Sequence, residues 1–112
     1  MKRIDYSPEK IVFLKFDENY NKLIVSLTNG DVRIFDNNLK EERRFSRITT
    51  SRIVDVVLVN SSKVIIFNET HAFNPEDPSY IVALPSKPCK AILLDAWGVL
   101  VASRSGLLYI KT

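Results

Sequence analysis

Histidine and cysteine are nearly absent from this chain. One of each among 112 residues, His71 and Cys89, rules out an intrachain disulfide and leaves no second imidazole for a His-centred metal site. With no disulfide to form, a reducing compartment is the natural setting and the expected address is cytoplasmic. No apolar run approaches the roughly 18 residues of a membrane span, and Met1-Lys2-Arg3-Ile4-Asp5 lacks a signal-peptide core, so no membrane insertion is expected. A Gly-rich phosphate loop, a Cys-x-x-Cys pair, a Gly-x-Ser-x-Gly elbow and an Asp-x-Asp-x-Asp-Gly calcium loop are all missing. Nothing therefore argues for an enzyme, a metal or an organic cofactor. Charge of one sign is also scarce in excess: 16 basic against 13 acidic residues give +3, with the signs interspersed, as in Lys40-Glu41-Glu42-Arg43-Arg44. Such mixing reads as a solvated face and argues against nucleic-acid binding.

What is present is strand and turn. Hydrophobic residues form 46% of the chain, enough for an ordinary globular core. They fall in runs of Val, Ile, Leu and Phe bounded by Asn, Gly, Ser, Asp and Pro, and no window of a dozen residues keeps a helical period. An all-β chain is expected, with strands at 3–6, 11–16, 22–27, 31–35, 41–45, 52–59, 63–68, 71–73, 80–84, 90–94, 99–103 and 107–110. Asn29-Gly30 supplies the positive φ that a tight hairpin needs, and Ser105-Gly106 does the same later in the chain.

These strands repeat. Leu23-Ile24-Val25-Ser26-Leu27-Thr28-Asn29-Gly30, followed by Asp31-Val32-Arg33-Ile34-Phe35-Asp36, aligns without a gap on Val99-Leu100-Val101-Ala102-Ser103-Arg104-Ser105-Gly106 followed by Leu107-Leu108-Tyr109-Ile110-Lys111-Thr112. Val64-Ile65-Ile66-Phe67-Asn68 stands between them as a third copy. Spacings of about 35 to 41 residues match one four-stranded propeller blade. The reading is one propeller-like domain over 1–112, with units at roughly 8–46, 51–85 and 88–112 and residues 2–7 as a closing strand.

On these residues the chain resembles the WD-repeat and related β-propeller superfamily. An apolar strand closing on Asp17, the Asn29-Gly30 turn and Val32-Arg33-Ile34-Phe35-Asp36 look like one such blade, with Phe35-Asp36 where the family carries Trp-Asp. The fold implied is about three four-stranded antiparallel blades, an incomplete ring unless chains associate or the segment belongs to a longer propeller. Uncovered sheet edges argue for self-association as a homo-oligomer. The function implied is that of a scaffold or adaptor binding another polypeptide. A lectin-like carbohydrate-binding propeller is the alternative, and a nucleic-acid-binding module is a second one.

The candidate interaction residues are Arg47, Arg52, Lys87, Trp97 and Arg104. The four basic ones fall near loops that successive blades would turn to one rim. Trp97, in Asp95-Ala96-Trp97-Gly98, either tucks over a blade end or stands out as a contact for a partner or a sugar. Cys89 is expected as a small buried hydrophobe, and His71 as a turn residue rather than a base. The scattered aspartates and glutamates are expected to cap turns.

Overall fold

The computed structural model describes residues 1–46, 48 and 51–112. Among them there is no helix, and the strands fall into two compact units, Met1–Thr50 and Ser51–Thr112.

The first unit is a four-stranded antiparallel meander of β1 (Ile11–Asp17), β2 (Lys22–Leu27), β3 (Val32–Phe35) and β4 (Glu41–Phe45). Its turns are built by side chains that cap main-chain N–H groups, which is why Asn and Asp punctuate the sequence. Asp17 Oδ1 accepts from the N–H of Tyr20, Asn29 Oδ1 from Asp31, and Asp36 Oδ1 from both Asn38 and Lys40. Of the Asn29-Gly30 pair only Gly30 takes a positive φ, 89°. On one face Val25, Leu27 and Phe35 form a small apolar cluster completed by Leu23 and Tyr6.

That cluster explains why residues 3–6 are not the strand the sequence suggests. Asp5 Oδ1 accepts from the N–H of Ser7 and the Tyr6 carbonyl from Glu9, so the segment turns. Tyr6 is thereby laid on the sheet rather than paired along an edge.

The second unit holds two sheets. β5 (Ile53–Leu58), β6 (Val64–Asn68), β7 (His71–Asn74) and β8 (Asp77–Ala83) form another four-stranded meander; β9 (Pro88–Asp95), β10 (Gly98–Ser103) and β11 (Gly106–Lys111) form a three-stranded one. Their facing sides share a core in which Val57, Ile65, Phe67 and Ala72 meet Ala91, Val99, Val101 and Ile110. β6 is buried at each of its five positions, consistent with its unbroken apolar run.

A buried carboxylate ties the two sheets together. Asp55 is 6% exposed, and a bulge at Val54 turns it toward the same side as Phe67. There Oδ2 accepts from the main-chain N–H of Ala91 at 2.8 Å while Oδ1 accepts from Val56 at 2.8 Å. The Tyr80 hydroxyl adds a second tie, donating to the Lys111 carbonyl at 3.0 Å.

Three local expectations are corrected. His71 opens β7, where the strand expected at 71–73 begins, and is not the turn residue it was also expected to be, because Asn68 Oδ1 takes its N–H and that of Thr70 and so forms the turn one step earlier. Pro75-Glu76 is a tight hairpin with β8 starting at Asp77, and Pro78 is tolerated since β8 lies at the sheet edge. Cys89 is exposed, not buried: Ser103 pairs with Pro88 and Ala102 with Lys90, which leaves Cys89 as the extra residue of a bulge.

Candidate functional site

Three surfaces carry side chains that the fold leaves available. The first is the side of the three-stranded sheet turned away from the shared core. Register sets Ile92, Leu100 and Tyr109 in one row and Lys90, Ala102 and Leu107 in the next. Ile92, Leu94, Leu107 and Tyr109 are 48% to 71% exposed, a contiguous apolar face where strand alternation would ordinarily put polar groups. Gly98 contributes by having no side chain. A Cβ there would stand 2.2 Å from Tyr109 Cζ, so glycine lets the aromatic ring lie down across the strand. β11 pairs only with β10 among the described residues, so the face ends at a free strand edge.

In the first unit β1 likewise shows Ile11, Leu14 and Phe16, each more than half exposed. Leu14 and Phe16 stand opposite Val25 and Leu23, on the side of the sheet that carries the Tyr6 cluster.

The second surface is a loop rim in the second unit. The Lys87 carbonyl accepts from the N–H of Arg104 at 3.2 Å, which joins the β8–β9 loop to the β10–β11 turn. Lys87 pairs with Glu69 at 3.5 Å. Arg52 precedes Ile53, the partner of Asn68, and so lies at the same end of its sheet as Glu69. Arg52, Lys87 and Arg104 are thus brought to one rim, with Glu69 offsetting part of their charge. Arg47 lies outside the described residues. Trp97 is not part of this group: it occupies the β9–β10 turn, at the other end of β10 from Arg104. It is 70% exposed, so the simpler expectation that it packs over the blade end is not met. The turn is fixed, with Asp95 Oδ1 accepting from the Trp97 N–H and the Trp97 carbonyl from Thr112.

The third surface escaped the sequence reading. Arg33, on β3, donates to Asp31 at 3.0 Å and to Glu41 at 3.2 Å, and its guanidinium carbon lies 5.1 Å from the centre of the Tyr6 ring. Glu41 in turn accepts from Arg44 at 3.0 Å. Burial pushes the Tyr6 hydroxyl above the usual tyrosine range, the Arg33 cation opposing it, so the group is a neutral donor at physiological pH. The Arg33 signal was present in the aligned β3 segment, but its ring partner lies 27 positions earlier in the chain, where no periodicity points.

Among the described residues no group of three or more His, Cys, Asp or Glu is arranged to hold a metal ion, and no helix is long and apolar enough to cross a membrane.

With this geometry established, the likeness to solved proteins is informative. No protein-family model and no curated protein sequence matches the chain. Solved β-propellers do. Hsv2 of Kluyveromyces lactis superimposes with a TM-score of 0.72 at 15% identity, over 92% of this chain and 33% of that one. A chain of the mitotic checkpoint complex gives 0.68 at 14% identity, over 96% of this chain and 35% of its own length. The β-propeller domain of Myceliophteria thermophila Cps50 (Swd1) gives 0.62 at 11% identity, over 92% and 38%. The three antiparallel sheets are blades of β-propeller type, and the chain spans about a third of the length of the solved structures it matches.

Proposed function

We propose that the chain is a non-catalytic protein-interaction module of β-propeller type whose partner is another polypeptide, in the first instance a second copy of itself. The observation that carries this reading is the exposed apolar face of Ile92, Leu94, Leu107 and Tyr109. Water-facing groups of this kind gain by burial, at about 1.5 to 3 kcal/mol for a side chain taken fully from solvent. Blade-type sheets gain it by stacking face to face. The same chain offers a matching surface in Ile11, Leu14 and Phe16, so one copy's last sheet can lie against another copy's first. Propellers among the structural neighbours support a binding role at the level of class: one belongs to the mitotic checkpoint complex, and another, BBS1N, was solved in complex with ARL6DN. We assign the rim of Arg52, Lys87 and Arg104 to polar contacts with acidic groups of the bound polypeptide.

Covalent surface footprinting tests this reading. Labelling of Ile92, Leu107 and Tyr109 falls as chain concentration rises, while that of Trp97 stays constant. Equal labelling of all four at every concentration, with no other polypeptide protecting them, contradicts the proposal.

One observation favours a second reading. Trp97 stands exposed on a rigid turn, the arrangement used to stack an aromatic ring on a sugar. A lectin-like module predicts glycan-array binding that Trp97→Ala abolishes; silence on the array removes this alternative.

A further inference from the structure

The β11 edge of the three-stranded sheet is built differently from the other sheet edges. An edge strand offers its unpaired main-chain groups to any other chain, and proteins ordinarily blunt it with bulges, charges or proline. Among the described residues β1, β4, β5, β8 and β9 each break register against their neighbour, and β8 and β9 also carry Pro78 and Pro88. β11 keeps unbroken register with β10 from Gly106 to Lys111, contains no proline, and has its single charged side chain, Lys111, at its far end.

That register also fixes which main-chain groups face outward. The Thr112 N–H donates to the Trp97 carbonyl at 2.9 Å, so the hydrogen-bonded pairs of this ladder are Trp97 with Thr112, Val99 with Ile110 and Val101 with Leu108. The N–H and C=O groups of Leu107, Tyr109 and Lys111 therefore point away from β10. The Tyr80 hydroxyl donates to the Lys111 carbonyl at 3.0 Å, and the other groups have no partner among the described residues. Side chains make this edge apolar on both faces. Leu107 and Tyr109 are more than half exposed on the outer face; on the core side Leu108, with Tyr80 and Val82 of β8, packs against the shared core yet stays only half-buried. A four-stranded sheet thus faces a three-stranded one, and their core is open along the side where β8 and β11 meet.

We infer that the β11 edge takes one extended strand of a different polypeptide, apolar along its length and acidic at its ends, paired antiparallel with Leu107, Tyr109 and Lys111. Antiparallel pairing is the arrangement of all three sheets and the slightly stronger one per residue. Alternate side chains of the strand lie beside Leu107 and Tyr109 on the outer face, and the rest lie beside Leu108 over the open core. Charge selects its ends: Gly98 to Thr112 contains Arg104 and Lys111, which stand at opposite ends of β11, and no Asp or Glu. A second copy has no strand of its own to give. Each of its strands is already held in a sheet, and the segment before β1 is turned at Asp5 to Ser7 with Tyr6 laid in its own cluster. The inference deepens the polypeptide-binding reading and rests on it for the class of partner, adding an edge to the stacking faces.

The test is amide hydrogen exchange of the ¹⁵N-labelled full chain, with and without the capped peptide Glu-Val-Ile-Val-Ile-Val-Glu. In the dilute free chain the Leu108 and Ile110 amides are protected and those of Leu107 and Tyr109 exchange fast. Saturating peptide slows Leu107, Tyr109 and Lys111 by at least about tenfold, the worth of one hydrogen bond. N-methylation of the peptide's central residues, which keeps its side chains and removes its donors, abolishes the effect, and lysine in place of both glutamates weakens it. Outward amides that exchange at the same rate with peptide present, equal action of the N-methylated form, or tighter binding of the lysine form would overturn the inference. Protection of those amides by rising chain concentration alone would overturn the choice of occupant and give the edge to a second copy. If the peptide leaves the edge unprotected while footprinting still responds to chain concentration, only the edge site falls; if neither responds, the interaction reading falls with it.

Discussion

Replacing Asp55 tests the tie between the two sheets of the second unit. Its carboxylate accepts from the buried main-chain N–H groups of Ala91 and Val56, both at 2.8 Å. In Asp55→Ala both donors lose that acceptor inside the core, and each lost acceptor costs about 1 to 3 kcal/mol, so the variant should lose about 2 to 6 kcal/mol. Against a total stability of about 5 to 15 kcal/mol for a domain of this size, that is a large fraction. Asp55→Asn keeps one acceptor oxygen and turns amide hydrogens toward the other N–H, so its loss should be about half as large, about 1 to 3 kcal/mol. Urea unfolding followed by circular dichroism gives the ranking, and hydrogen exchange at the Ala91 amide locates it. The reasoning is refuted if the alanine variant unfolds at the wild-type midpoint, or if Ala91 remains as protected as before.

Other outcomes follow from the same physics. Tyr6→Phe and Ser26→Ala each delete a buried hydroxyl without a hydrogen-bond partner among the described residues, so each should leave thermal stability unchanged or raise it by up to about 1 kcal/mol; a clear loss in either would reveal a partner for that hydroxyl. Asp36 is held below the usual carboxylate range by the N–H groups of Lys40 and Asn38, and Asp77 by the hydroxyl and N–H of Ser79. A lowered carboxylate contributes stability above its unfolded value and loses it as pH falls through the folded one. Asp36→Asn and Asp77→Asn should therefore flatten the fall of Tm below about pH 5, and an unaltered acid limb contradicts this. Burial raises the Tyr80 hydroxyl, so its contribution is present below the usual tyrosine range and lost as pH climbs through the raised value. Tyr80→Phe should remove that alkaline component, as read from Tm against pH.

Much of the fold could be read locally because blade strands and their turns are local devices. The predicted strands at 22–27 and 41–45 coincide with β2 and β4, and the turn residues Asn29, Asn60 and Asn68 each accept the N–H groups that close their hairpins. What escaped was set by bulges and by distance. One extra residue in β9 turns Cys89 outward, and one in β5 swings Asp55 into the core, and neither leaves a mark in an apolar pattern. The Asp55 tie spans 36 residues, and the Arg33 and Tyr6 stack joins a strand to a segment read as a strand of its own. Among the proposed interaction residues, sequence grouped the basic ones near loops, but only the strand register separates the rim of Lys87 and Arg104 from the turn that carries Trp97.

Sedimentation equilibrium over a concentration series bears most directly on the claim that blade faces of this chain seek another polypeptide. The account predicts a mass rising from 12.8 kDa toward twice that value at high micromolar concentration, with Leu107→Lys holding the chain at the lower figure. A wild-type chain that stays at 12.8 kDa throughout would contradict it.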